Sequence, residues 1–347
     1  MWGGCHPIAL HVANNMIRKW SSFVSRPAPR LIFVIPYFGS WPFWMPFFLE
    51  SCRRNSDIDW LLFSDCGTPE SLPPNVKVEP ISFKGYCQLV SKQLGIQFDP
   101  PAAYKLCDIK PALGYIHAKH LDGYDFWAFG DLDVVYGDLR SYFTADRLSR
   151  YDLFSTHARR VSGHLCVIRN NPSSRELFMK VPNWQRRFSD HTHYAFDEQA
   201  FSRVFIKHKN FPKPLYKLAG KFNPLRRRSK FSELFSTPGG AVKWHDGTKN
   251  FPLNWYWRDG HLTNDLDGNR TYLYFHFAIW KRGEWSMLPE PDPAYVKMLA
   301  QEEAWQVDVT GFLALDHQPD LQQHAGAERH HHHDKRAATA DTLAMAD

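Results

Sequence analysis

Cysteine is sparse in this chain: six residues among 347, at positions 5, 52, 66, 87, 107 and 166, with no Cys-x-x-Cys pair and no regular spacing. That excludes a disulfide scaffold and a cysteine-rich structural zinc module, and it fits reduced thiols in a cytoplasmic protein. Charge of one sign is also thin. Lys and Arg number 42 against 36 Asp and Glu, a net +6 that falls short of a dedicated nucleic-acid binder. The chain contains no GxxxxGK[ST], GxGxxG, HExxH or GxSxG, so P-loop, dinucleotide-fingerprint, zincin and serine-elbow chemistries are excluded. One apolar stretch, 31–49, is long enough to raise a membrane span, but Pro36, Gly39, Ser40, Pro42 and Pro46 break any continuous helix through it. A buried strand, a loop and a short helix are expected there instead. Residues 1–30 lack an apolar signal core and read as an N-terminal extension.

What is present is apolar and aromatic. Hydrophobic residues make up 44% of the chain and aromatic ones 15%, enough to bury a large core and to exclude disorder over most of the length. LIFVIPYFG (31–39) is the uninterrupted pattern of a strand buried on both faces. A helix is expected over 44–54, strands over 58–63 and 76–81, and helices over 85–94 and 104–120. A fourth buried strand over 124–130 runs straight into Asp131-Leu132-Asp133. This alternation predicts an α/β fold with a mostly parallel sheet flanked by helices, which binds ligands at the carboxyl ends of its strands. The second half is less regular, with strands expected over 151–156, 164–169 and 270–277 and helices over 173–181 and 196–205. It reads as a smaller α+β region. Beyond about residue 318 the composition has no core pattern and reads as a disordered tail, and the His330–His333 run there carries no catalytic weight.

Asp131 and Asp133, at i and i+2 on extended backbone, project to one side and can reach one divalent cation. The spacing alone is weak, because Asp57/Asp59 and Asp265/Asp267 share it. Only the Asp131 pair ends a buried strand at the expected ligand edge. In YKLCDIKP, Lys105 and Asp108 share a helix face with Lys110 one step on, which suits either a diphosphate clamp or an exposed ion pair. Asp197-Glu198 in FDEQAF reads as a helix cap or as a general base for an acceptor hydroxyl. His276, in the aromatic run YFHFAIWK with Lys281 just beyond, reads as a core histidine or as a third metal ligand. A basic cluster, Arg226–Arg228 with Lys217, Lys221 and Lys230, is interleaved with Phe222, Phe231 and Phe235. It is either a solvated loop or a site for acidic lipid head groups or a phosphate-bearing substrate. Trp41, Phe43, Trp44, Phe47 and Phe48 are expected in the core rather than in an interfacial patch.

Taken together, IPYFG (35–39), IDWLLFSDC (58–66), YKLCDIKPALG (104–114), YDFWAFGDLDVVYGDL (124–139), SGHLCVIRNN (162–171), FDEQAF and YFHFAIWK resemble a bacterial family of uncharacterised or polysaccharide-biosynthesis glycosyltransferases. The resemblance spans roughly 31–282 and implies a GT-A-type fold. A nucleotide-sugar-binding half (31–140) would be joined to an acceptor-side half (141–290), followed by a C-terminal extension (291–347). It implies that Asp131 and Asp133 are the metal-binding Asp-x-Asp and that His276 completes the site around Mn²⁺ or Mg²⁺. Pro36, Tyr37 and Asp65 match positions that hold the nucleotide base and ribose. Lys105, Asp108 and Lys110 match the segment facing the sugar diphosphate, whose charge Lys281 helps offset, and Asp197 or Glu198 is similar in placement to an acceptor base.

The expected function is therefore metal-dependent transfer from a nucleotide-sugar donor to a glycan or lipid-linked acceptor, in the cytoplasm or at the inner face of a membrane. Two alternatives stand beside it. A sugar-nucleotidyltransferase also uses paired carboxylates, but it would carry a basic phosphate loop where this chain has Tyr37–Trp41. A non-catalytic scaffold on a transferase fold would not need Asp131 and Asp133.

Overall fold

The computed structural model describes residues 28–315, apart from 208–211 and 239–241. The N-terminal extension up to residue 27 and the tail with its His run lie outside the described residues. The first four strands follow the apolar runs closely: β1 Leu31–Pro36, β2 Ile58–Ser64, β3 Val76–Pro80 and β4 Phe126–Gly130. Helix Met45–Arg53 links β1 to β2, and helix Phe83–Leu94 follows β3. The latter starts where the Ser82 hydroxyl accepts from the Gly85 amide and stops at Gly95, in the left-handed region at φ 64°.

The single long helix expected over 104–120 is instead a chain of short 3-10 and α turns between Ala103 and Leu121. Two residues explain it. Pro111 has no amide hydrogen to donate, and Gly114 lies so close to the Trp127 indole that an added Cβ would fall 2.3 Å from the ring. The 173–181 helix likewise divides into Pro172–Arg175 and Leu177–Lys180. Over 196–205 the chain is helical, but it opens with a π turn at Asp197–Phe201.

After the short strand β5 (Val134–Tyr136) come β6 (Leu153–Ser155), β7 (Leu165–Arg169) and β8 (Ser229–Phe231). The main sheet has seven strands in the order β3-β2-β1-β4-β7-β6-β8. All its pairings are parallel except the two made by β7. From β1 the chain works outward to β3, then returns to place β4 on the other side of β1. The carboxyl ends of β1 and β4 therefore flank the switch-point crevice where such sheets bind ligands.

The later part of the chain forms a second sheet. Strands β9 Trp255–Arg258, β10 His261–Asn264, β11 Gly268–Tyr272, β13 Ala304–Asp308 and β14 Gly311–Ala314 pair antiparallel in the order β11-β10-β9-β13-β14. Residues 293–314, read from sequence as part of an extension, are thus built into the fold. The strand expected over 270–277 is two strands, because β12 (Tyr274–His276) leaves β11 to pair antiparallel with β5. Asp265 and Asp267 sit in the turn between β10 and β11.

Core side chains cover both faces of the main sheet, and a third cluster fills the space under the second sheet. Phe47 and Phe48 are fully buried, and Phe47 stacks on Phe312 of β14 with centroids 3.9 Å apart. Among the described residues no helix is long and apolar enough to cross a membrane.

Candidate active site

Strand β4 delivers Asp131 to the crevice, and the antiparallel ribbon of β5 and β12 brings His276 to it. In that register His276 lies opposite Val134, next to Asp133. One donor atom from each of Asp131, Asp133 and His276 lies within 4.8 Å of the others. Two carboxylate oxygens and an imidazole nitrogen are the donor set that suits Mn²⁺ or Mg²⁺. The Thr237 hydroxyl meets His276 Nδ1 at 3.1 Å, leaving Nε2 facing Asp133 Oδ1 at 3.5 Å. A partner on the far nitrogen is what orients a ligating imidazole. The Trp44 indole donates to the Leu132 carbonyl at 3.0 Å and so pins the residue between the two aspartates.

Cations face both carboxylates. Lys281 Nζ donates to Asp133 Oδ2 at 2.5 Å, and Lys110 pairs with Asp131 and donates to the Gly163 carbonyl at 3.0 Å. Burial alone would raise the Asp133 pKa, but His276 and Lys281 outweigh it and hold the carboxyl well below the usual range. Burial likewise pulls the Lys110 ammonium down, yet Asp131 and Asp197 outweigh it and keep it protonated.

Asp197 is buried and held in place by the π turn that begins with it. Its Oδ1 accepts from the Glu198 amide at 2.8 Å. Oδ2 packs so close to Gly163 that a Cβ there would sit 2.7 Å away. Burial pushes its pKa up to about 7, against the pull of Lys110 and with help from the Glu198 and Asp131 charges. Ala195, two residues earlier, has φ 45°, a strained conformation that persists only where the surroundings impose it. Glu198 pairs with Arg160 at 3.0 Å and lines a cavity of about 180 Å³ with Arg160, His164, Glu233 and His276. His276 is thus a wall shared by the cavity and the metal-ligand group. Phe235, also on this cavity, has φ 47°.

Of the other residues anticipated from sequence, Pro36, Tyr37 and Asp65 lie on the same sheet edge. The Tyr37 amide donates to the Phe63 carbonyl at 2.9 Å, and Asp65 Oδ1 accepts from the Gly39 amide at 2.9 Å. This ties the loops after β1 and β2 together, with the Tyr37 ring stacked on Trp41. Lys105 and Asp108 do not join the Asp131 group. They form a buried ion pair at 2.8 Å, which corrects the exposed-pair expectation. Lys105 also donates to the Arg187 and Thr192 carbonyls, and Asp108 accepts from the Tyr194 and Phe196 amides. All three acceptors of Lys105 are protein groups, and the pair holds the 187–196 segment that leads into Asp197.

Sequence reasoning passed over Gly163, His164 and Arg160. The His164 ring stacks on His276 with centroids 4.3 Å apart, and its Nε2 meets Tyr274 and Ser162 at 2.8 and 2.9 Å. Burial holds it neutral, well below the ordinary histidine pKa. A lone His at the head of an apolar strand was the available signal. A larger cavity, about 930 Å³ between helix 45–53 and helix 293–300, is lined mainly by apolar residues such as Trp41, Phe43, Leu49 and Val296. None of the site carboxylates or histidines lines it.

These features define an α/β protein with a three-donor candidate metal site at the switch point of its main sheet. The chain belongs to the family of unknown function DUF6625, whose model matches residues 33–288. No curated protein matches its sequence. Among solved structures it is similar to the galactosyltransferase LgtC in complex with donor and acceptor sugar analogues. There the identity is 9% and the TM-score 0.40, over 78% of this chain and 95% of that one. It is similar also to mouse xyloside xylosyltransferase 1 (10% identity, TM-score 0.36, 62% of this chain and 90% of that one). A third likeness is to the glycosyltransferase GlyE of Streptococcus pneumoniae TIGR4 (11% identity, TM-score 0.29, 60% and 46%). At such overlap no property of those proteins transfers to this chain, and its chemistry rests on its own residues.

Proposed function

We propose that this protein is a divalent-metal-dependent glycosyltransferase of GT-A type that moves a sugar from a nucleotide-sugar donor to a glycan or lipid-linked acceptor. The setting is cytoplasmic synthesis of a bacterial surface polysaccharide. The observation that carries the reading is the Asp131, Asp133 and His276 group at the sheet's switch point, backed by Lys110, Lys281 and a buried carboxyl poised near neutrality. The family resemblance of the seven motifs supports it.

Asp131, Asp133 and His276 would hold Mn²⁺ or Mg²⁺, which when bound neutralises charge on a departing diphosphate. Lys281 and Lys110 would add two further cations beside the same leaving group. Pro36, Tyr37 and Asp65 form the wall for the base and ribose at the ends of β1 and β2. Lys105 and Asp108 act at one remove, fixing the segment that delivers Asp197. Asp197 takes the proton of the acceptor hydroxyl, because a carboxyl with its pKa near the working pH is the efficient general base. Glu198 and Arg160 line the acceptor side, in the small cavity that His276 shares.

The test is nucleotide release from a panel of UDP-, GDP-, CMP- and dTDP-sugars, with Mn²⁺, with Mg²⁺ or with EDTA. One donor should be turned over only with metal, and Asp131→Asn should lower the rate on the order of 100-fold or more while the protein stays folded. Release that survives both EDTA and Asp131→Asn refutes the assignment. So does the absence of any thermal shift with every nucleotide tried.

A further inference from the structure

Between Glu198 and Glu233 the chain contains no acidic residue, while nine Lys and Arg fall between positions 207 and 230. The whole chain carries only +6, so everything outside this stretch is net acidic. Charge is concentrated here, on one segment of the fold. Within it the structure places a helix, Lys213–Lys221, followed by the short turn Pro224–Arg227.

The helix has an apolar stripe that the described residues leave uncovered. Leu215, Leu218 and Phe222 follow one another at helical spacing, and they are 53%, 53% and 81% exposed. Positions 213, 217 and 221, all lysines, repeat every fourth residue along the other side by register. Three large apolar side chains in water on one helix face are a cost that a monomer does not normally retain without use. The segment is also anchored to the fold. Asn223 donates to the Val204 and Phe205 carbonyls at 3.1 and 3.0 Å and caps the next turn, and Arg228 pairs with Asp152. Leu225 packs into the core beneath the main sheet. The C-terminal end of the exposed helix is therefore tied to the fold.

We infer that helix 213–221 and the basic turn after it form a docking surface for an anionic lipid bilayer. Leu215, Leu218 and Phe222 enter the interface while the exposed Lys221 and Arg227 beside them meet the head groups. An apolar stripe set among cations is the composition that lies in a membrane surface, where apolar burial and charge attraction add. A soluble polyanion would use the cations and leave the stripe in water, so the stripe decides for lipid. The inference does not depend on the catalytic reading, because vesicle binding is measured without donor or metal. If both hold, the anchor at Val204 and Phe205 has a consequence. It connects the lipid surface to the helix that starts at Asp197, and a lipid-linked acceptor would arrive beside its base.

The test is co-sedimentation with phosphatidylcholine vesicles, with and without phosphatidylglycerol, across a salt series. The wild-type chain should sediment with the anionic vesicles at low salt and stay in solution with phosphatidylcholine alone. The triple variant Leu215→Asp, Leu218→Asp, Phe222→Asp should lose at least about tenfold in vesicle affinity. Reversing Lys221 and Arg227 to Glu should lose about fivefold or more per residue. Thermal unfolding of both variants should match wild type, since the altered side chains are exposed, and metal-dependent nucleotide release should be unchanged. Three results overturn the inference: no binding to anionic vesicles, binding that the apolar triple variant retains in full (attraction to polyanions in general), or a wild-type dimer that the triple variant dissolves without vesicle binding.

Discussion

Replacing Asp197 with Asn should make the protein more stable and less active, and the size of the first effect depends on pH. The carboxyl is buried, with 4% of the residue exposed, and its pKa is raised from 3.8 to about 7. A group whose native pKa exceeds its unfolded value binds more protons in the native state over that interval. Stability therefore falls as pH rises from about 4 to about 7 and is level above it. Holding this carboxyl ionised in the folded protein at pH 8 costs about 4 kcal/mol. Asn keeps the shape and can still accept from the Glu198 amide through its oxygen, but it carries no charge to bury. Its melting temperature in EDTA should exceed wild type by several degrees at pH 8, at about 2 °C per kcal/mol for a domain of this size. The gap should narrow steadily toward pH 5, where the wild-type carboxyl is protonated. Transfer to acceptor should fall by a factor on the order of 100 to 10,000, the range for loss of a general base. Differential scanning fluorimetry across pH decides the matter. A gap that does not change with pH, or a variant less stable than wild type at pH 8, would refute the account of Asp197 as a destabilised functional carboxyl.

Two glycines extend the same reasoning. Gly163→Ala puts a methyl 2.7 Å from Asp197 Oδ2. The carboxyl must swing aside, so turnover should drop more than about tenfold with little change in melting temperature, and full turnover would count against Asp197 as the base. Gly114→Ala instead drives a methyl to 2.3 Å from the fixed Trp127 ring, and should cost about 1–3 kcal/mol or more by urea unfolding, an unchanged midpoint being the contrary result.

Much of the first half of the chain was legible because its signals are local. Each of β1, β2 and β4 is a short apolar run closed by Pro, Gly or polar residues, the pattern of a strand buried on both faces. The place of Asp131 followed directly from the end of β4. What resisted reading depends on distant chain. The i, i+3 pattern of Lys105 and Asp108 is the same whether the pair is wet or dry, and residues 187–196, some 80 positions away, make it dry. Gly114 is unremarkable in sequence until Trp127 lies against it. Strand β12 is three residues long and its partners in β5 lie 138 to 142 positions away, so periodicity could not separate it from β11 within the single strand expected over 270–277. The same holds for the seat of His276 beside Asp133, which residue type and family resemblance suggested and the ribbon explains.

That ribbon also dictates when the site can come into existence. Asp131 and Asp133 leave the ribosome long before His276 and Lys281, and Tyr136 also waits for the Trp257 indole to reach its carbonyl. A nascent or prematurely terminated chain thus has the two aspartates without the imidazole and without one of the two lysines that face them. On the proposed function, half-made copies are thereby spared a competent centre, because the group of three is incomplete until the chain has passed His276 and Lys281.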